Sequence, residues 1–179
     1  MTRPRAILDT SALISLYNLQ SIEHLSLMYE EVRIPREVER EFLDKVSEDE
    51  KTRRFAFIAK FYDINQSWFV PCLDYGSDLI EIYLASDGMD RGEAEVLAQN
   101  QSLDNLYEVI IDESIARGVA QSKSFKVHGV LYLLAVLSIR FQKIDYNASV
   151  DYLIKEQNFR LKSKVVNQVY EKVRKEILG

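Results

Sequence analysis

Two short apolar runs, each stopped by an acid, constrain this chain most. Ala6-Ile7-Leu8 ends at Asp9-Thr10-Ser11, and Tyr107 to Ile111 ends at Asp112-Glu113. Runs this short and apolar read as buried strands. Each is followed by apolar residues at helical spacing: Leu13, Ile14, Leu16 and Tyr17 after the first, Ile115, Ala116, Val119 and Ala120 after the second. The same order recurs where Glu31-Val32-Arg33-Ile34 alternates like a strand and Pro35 opens a helix with Val38 and Phe42 on its buried stripe. Strands alternating with helices predict an α/β fold, a mostly parallel central sheet flanked by helices on both faces, with sites at the carboxyl ends of the strands. Asp9 and Asp112 fall at such ends.

The remaining elements follow from the same periodicities. Residues 47–62 read as an inserted helix with Phe55, Ile58, Ala59 and Tyr62 facing inward, followed by a strand at Trp68-Phe69-Val70 closed by Pro71. Leu79, Ile82 and Tyr83 mark a helix ended by Gly88. Asp90-Arg91-Gly92-Glu93 opens the next helix, with Ala94, Leu97 and Ala98 inward. Phe125-Lys126-Val127 reads as a further strand, and Gly129 opens an apolar helix from Leu131 to Ile139. The chain closes with a helix around Val150 to Ile154 and an amphipathic one carrying Val165, Val169, Val173 and Ile177. No repeat or linker interrupts the first 145 residues. A domain spanning 1–145 and a helical extension spanning 146–179, packed on that domain or on a partner, are therefore expected.

Cysteine and histidine are scarce. Cys72 stands alone and His24 and His128 are the only imidazoles, which excludes an internal disulfide framework and a zinc cluster. No run reaches the roughly 20 apolar residues that span a bilayer, and a cytoplasmic protein without a membrane role is expected. The net charge of −5 is uneven: residues 1–150 carry 16 Lys or Arg against 24 Asp or Glu, and residues 151–179 carry 7 against 4. The basic tail is a candidate for gripping RNA, and its apolar stripe equally suits a dimer interface or docking against the domain.

Each acid has an ordinary explanation. Asp9 and Asp112 suit helix N-caps, and Asp90 with Glu93 fits a capping box. Glu41 lies with Glu37 and Glu39 beside Arg36 and Arg40, as on a solvated charged face. Taken together they are harder to dismiss. Two close buried strands and two lie near apolar helix faces, where an ionised carboxylate is costly without a cation. Hard cations such as Mg²⁺ and Mn²⁺ take oxygen donors, often few from the protein with water filling the shell.

Leu8-Asp9-Thr10-Ser11, Ile34-Pro35 through Val38 to Glu41, Gly92-Glu93-Ala94-Glu95 and Ile110-Ile111-Asp112-Glu113 resemble, in order and spacing, the successive acidic motifs of the PIN-domain nucleases. Arg117 and Val127-His128-Gly129-Val130-Leu131 add a likeness to the prokaryotic branch related to VapC-like toxins. The resemblance implies a PIN-like three-layer sandwich and RNA phosphodiester hydrolysis by water activated on Mg²⁺ or Mn²⁺. It makes Asp9, Glu41, Glu93 and Asp112 the catalytic set. Asp9 would be the central metal ligand, Glu93 and Asp112 would share one or two ions, and Glu41 would orient water or bind a second metal. Glu95 and Glu113 would support these ligands. Thr10 and Ser11 would donate to carboxylate or phosphate, although capping explains them equally well. Arg117 would turn to phosphate, pair with Glu113, or remain a solvated cation. The implied partners are an RNA substrate and an antitoxin protein covering the acidic cleft; a second copy of the chain is expected only from the tail's apolar stripe. Glu93 stands where the commonest toxin pattern has Asp, and Ile111 where many relatives place a small hydroxyl residue.

Two other classes compete. A PIN-like module without catalysis would bind RNA or protein and lack metal affinity. An Asp-based phosphotransfer domain would also place Asp9 after a strand, but that pattern needs a second Asp two residues on, where Ser11 stands.

Overall fold

The computed structural model describes residues 2–44, 46–63, 68–71, 77–85, 88–157 and 159–179. Among them, five parallel strands form one sheet in the order β3-β2-β1-β4-β5: β1 Arg5–Leu8, β2 Glu31–Ile34, β3 Phe69–Pro71, β4 Tyr107–Ile110 and β5 Val127–His128. The register aligns Leu8 with Ile110 across the central pair. Pro71 lies on the edge strand, where a missing N–H costs no ladder bond.

The chain moves from β1 outward to β2 and β3, then returns to place β4 on the other side of β1. Right-handed crossovers in opposite directions cover opposite faces, and the crevice at the reversal lies between the carboxyl ends of β1 and β4. Asp9 N–H donates to the Ile110 carbonyl there at 3.0 Å, tying the two strand ends together.

Helix α1 (Thr10–Asn18) follows β1, then a 3₁₀ turn at Ile22–His24 and the short α2 (Leu25–Met28) lead to β2. Helices α3 (Arg36–Leu43) and α4 (Glu48–Asp63) separate β2 from β3. Helices α5 (Ser77–Leu84) and α6 (Arg91–Ser102) precede β4, and α7 (Ser114–Ser122) precedes β5. The chain ends with α8 (Val130–Ile139), α9 (Tyr146–Glu156) and α10 (Ser163–Leu178).

Helix α8 is apolar all round because α1, α9 and α10 pack about it. Tyr146, Val150, Leu153, Val166 and Val173 join the same buried cluster as the strands. The helical segment expected at 146–179 thus shares the core of the preceding residues.

Several inward faces differ from the sequence expectation. In α4 the buried residues are Arg54, Ile58 and Phe61, whereas Phe55 is 64% exposed and Ala59 is also exposed. The cause is an aromatic chain running Tyr17, Phe42, Phe57, Phe61, Trp68 and Phe69 with centroid separations of 4.7–6.3 Å, which turns Phe57 and Phe61 inward. In α5, Ile80 replaces Ile82 on the inner face, and in α10, Val166 replaces Val165. The strand expected at Phe125 shrinks to Val127–His128. Cys72 and the side chain of Tyr62 lie outside the described residues. No helix among the described residues is long and apolar enough to cross a membrane.

Candidate active site

The first acid is fixed by backbone. Asp9 is the N-cap of α1: Oδ1 accepts from Ala12 N–H at 2.7 Å, and Oδ2 accepts from Asp112 N–H at 3.2 Å. Asp9 is buried, and its carboxyl is raised well above the ordinary range by that burial and by the charge of Asp112.

Asp112 does not cap its own helix, as the N-cap reading expected; Glu113 caps α7 instead. The carboxylate of Asp112 reaches forward to the start of α8, where both oxygens accept from Val130 N–H at 3.1 and 3.3 Å. Three residues separate β4 from α7, and from that stretch Asp112 reaches the N–H that opens α8. Burial lifts its carboxyl to about 6 against the lowering effect of Val130 N–H and Arg117.

The capping box expected at α6 is present: Glu93 N–H donates to Asp90 Oδ1 at 2.8 Å, and Asp90 N–H donates to Glu93 Oε2 at 3.1 Å. Glu93 is nevertheless buried, and burial lifts its carboxyl to about 7, with Asp90, Glu113 and Glu41 adding repulsion. Capping therefore does not remove the electrostatic cost.

Glu41 sits near the end of α3 and accepts from the Thr10 hydroxyl at 2.5 Å. Its carboxyl is raised by burial, against the lowering effect of the Thr10 hydroxyl. Gly92 closes over this pair; a Cβ there would lie 3.0 Å from Glu41 Oε2 and 3.3 Å from Thr10 Oγ1. Gly129 is tighter still, since its Cβ would lie 2.5 Å from Asp112 Oδ1 and 2.6 Å from Arg117 Nη1. The sequence marked these glycines as helix openers and motif positions, and the space beside them is taken by acids.

The starts of α1 and α8 thus turn Ala12 N–H and Val130 N–H to Asp9 and Asp112, and the start of α6 lies against Thr10 and Glu41 at Gly92. That arrangement favours anions, both carboxylates and a phosphate.

The supporting residues separate into near and far. Thr10 touches Glu41, while Ser11 is exposed on the rim beside Asp112 and Glu113. Glu113 is exposed and its Oε2 accepts from Ser114 N–H at 3.2 Å. Arg117 folds back to donate to the Ile111 carbonyl at 3.3 Å and lowers the Asp112 carboxyl, which is neither the Glu113 pair nor the solvated cation considered from sequence. Glu95 turns elsewhere: its Oε2 accepts from Glu37 N–H at 2.8 Å, anchoring the start of the helix that carries Glu41.

Among the described residues, Asp9, Glu41, Glu93 and Asp112 form no ion pair with lysine or arginine. Nor are three or more Asp, Glu, His or Cys side chains there gathered tightly enough to hold an ion by themselves. The donors are all carboxylate oxygens, suited to a hard cation that keeps water and takes few protein ligands.

Comparison with known families bears on the fold as a whole. A family model described as a PIN domain matches residues 5–175, nearly the whole chain, from the first strand into the last helix. The chain belongs to the PIN-domain family. PIN domains are generally nucleases and typically use divalent metals. A search of curated proteins gave no match.

Proposed function

We propose that this protein is a divalent-metal-dependent endoribonuclease acting in the cytoplasm, with Mg²⁺ or Mn²⁺ held by Asp9, Glu93 and Asp112. The observation that carries the reading is the set of acids at the strand-order reversal whose carboxyls are raised by burial and mutual repulsion. Such charges persist when something cationic joins them. The metal would supply a water with its pKa lowered toward about 7 and a charge facing the leaving oxygen.

The chain's own groups do the rest. Ala12 N–H, Asp112 N–H and Val130 N–H hold Asp9 and Asp112 in fixed orientations, so ligand geometry costs little on binding. Glu41, steadied by the Thr10 hydroxyl, would orient the attacking water. Arg117, beside Asp112, would donate to a phosphate oxygen. The likeness to VapC-like toxins supports one proposed partner, an antitoxin that covers the acidic cleft; a second copy of the chain is the other proposed partner.

The non-catalytic binding module is the second reading. It is favoured by the absence, among the described residues, of a gathered metal cage. Incubation with total RNA and Mn²⁺ or Mg²⁺, beside EDTA, Asp9→Asn and Asp112→Asn controls, separates the two. The nuclease reading requires cleavage by the unmodified protein that EDTA and either substitution reduce at least about a hundredfold. Folded protein that binds RNA and neither cuts it nor binds metal would establish the module.

A further inference from the structure

At the amino ends of the central strands, away from Asp9 and Asp112, a pocket of about 320 Å³ opens between the segment leading into β1, helix α2 and one side of α8. Its volume falls at the lower end of the roughly 300–1,000 Å³ that small-molecule sites enclose. The α8 wall follows from sequence. Tyr132, Val136 and the C-cap Arg140 stand four residues apart, so they share one helix face and span about 12 Å at 1.5 Å per residue. The other walls include Arg3, Leu27, Met28 and Tyr29.

Four charged side chains line the pocket: Arg3, Lys126, Arg140 and the carboxylate of Glu108. Glu108 is already satisfied, since Lys126 pairs with it and the Tyr29 hydroxyl donates to it at 3.1 Å. Two acids on adjoining elements are paired as well, Glu30 with Arg5 at 2.7 Å and Glu176, loosely, with Lys172 at 3.9 Å. Arg3 donates to the Ser26 carbonyl, and Arg140 lies over the Phe141 ring at 5.4 Å from its centroid. Among the described residues, neither arginine has an acidic partner. Three cations against one carboxylate leave two positive charges on the walls, both on guanidinium groups.

The dipole at the end of α8 would by itself account for Arg140, but not for a second unpaired arginine facing the same space. A phosphomonoester carries about −1.5 to −2 at neutral pH, and its oxygens match the guanidinium fork. The remaining walls are apolar or aromatic, with Tyr132 and Phe141 offering flat faces to a ring. The length of the α8 wall is that of a nucleotide laid along it. The geometry points to this pocket as a second site, one that binds a nucleoside monophosphate with its phosphate on Arg3 and Arg140 and its ring against Tyr132 and Val136. The site does not depend on the nuclease reading, since none of the four acids at the carboxyl end belongs to its walls.

The test is isothermal titration of AMP, GMP, CMP and UMP, each separately, into the full chain in EDTA, which keeps the acidic end free of metal. Saturable binding of at least one is expected, with its nucleoside and inorganic phosphate each at least about tenfold weaker. Arg3→Ala and Arg140→Ala should each weaken that binding about tenfold, and Arg140→Lys, which keeps the charge and loses the fork, should fall between. Both arginines are exposed, so the circular dichroism spectrum should be preserved, and Lys51→Ala on α4 should leave affinity unchanged. No binding of any of the four, equal binding of inorganic phosphate, or undiminished affinity in both alanine variants overturns the site. Loss of binding in Arg117→Ala, with both alanine variants still binding, puts the nucleotide in the acidic cleft and overturns it equally. RNA cleavage is not read at any step, so failure here leaves the nuclease reading standing, and failure of that reading leaves this site standing.

Discussion

The two ends of the central strands treat buried acid in opposite ways. At the amino end, Glu31 accepts from Tyr107 at 2.7 Å and pairs with Arg33 at 2.5 Å and Arg5 at 3.9 Å, and these partners hold its carboxyl below the ordinary range despite burial. Glu108, buried in β4, pairs with Lys126 and accepts from the Tyr29 hydroxyl at 3.1 Å. At the carboxyl end, Asp9, Glu93 and Asp112 have backbone donors and one another, and their carboxyls rise. Among the described residues, the chain sets a base within ion-pair distance of each of these acids at one end, whereas at the other only Arg117 comes near, lowering Asp112 without pairing with it. That difference is what motivates the proposed cation site at the carboxyl end.

The largest expected effect comes from neutralising the unpaired end. Asp112→Asn should lower RNA cleavage at least about a hundredfold while raising the melting temperature of the metal-free protein at pH 8, where the native carboxylate is ionised at a cost. A variant that loses activity and also melts lower without metal would mean that Asp112 is held by its surroundings as Glu108 is.

Next in size is Gly129→Ala. Its Cβ would sit 2.5 Å from Asp112 Oδ1, so the carboxylate must move. A displacement near 1 Å costs roughly a hundredfold in rate at a tuned site, so cleavage should fall roughly ten- to a hundredfold with the circular dichroism spectrum preserved. Unchanged activity would show that Asp112 need not sit where Val130 N–H holds it.

A smaller effect separates the two ends by pH. Burial raises Asp112 to about 6 and Glu93 to about 7, so the folded chain retains protons that the unfolded chain has released. Their contribution to stability is full below about pH 4 and is lost as pH rises toward about 7. The metal-free melting temperature should therefore fall across that window through these groups, and Mn²⁺ should flatten the decline. Glu31, lowered by its partners, contributes with the opposite sign: its stabilisation is lost as pH falls through its depressed value.

The smallest effect belongs to the amino end. Glu108→Gln should cost about 1 kcal/mol, since Lys126 is largely exposed, and leave metal affinity and cleavage unchanged. Changes in metal affinity in that variant would blur the division between the ends.

Much of this site was legible in the sequence because its acids sit where the local pattern changes. A strand as short as Ala6-Ile7-Leu8 announces its own end, so Asp9 and Asp112 could be placed on the carboxyl edge before any contact was known. Local pattern failed where a distant group decides. Phe55 and Phe57 lie two residues apart on a helix, and Tyr17 and Phe42 determine which of them turns in. The target of Asp112 is Val130 N–H, 18 residues on, and Glu95 serves Glu37 N–H, 58 residues back. The tightness at Gly129 and the nearness of Arg160 to Asp112 arise from packing between elements, which periodicity does not carry.

The central claim is that the unpaired acids at the carboxyl end await a divalent cation. Isothermal titration of Mn²⁺ into the metal-free protein near pH 6.5, in buffers of different ionisation enthalpy, tests it without reference to RNA. Saturable binding accompanied by proton release, abolished by Asp9→Asn and by Asp112→Asn and retained by Glu108→Gln, is the result this account predicts. Folded protein that takes up no Mn²⁺, or that binds it equally well after both aspartates are neutralised, would contradict it.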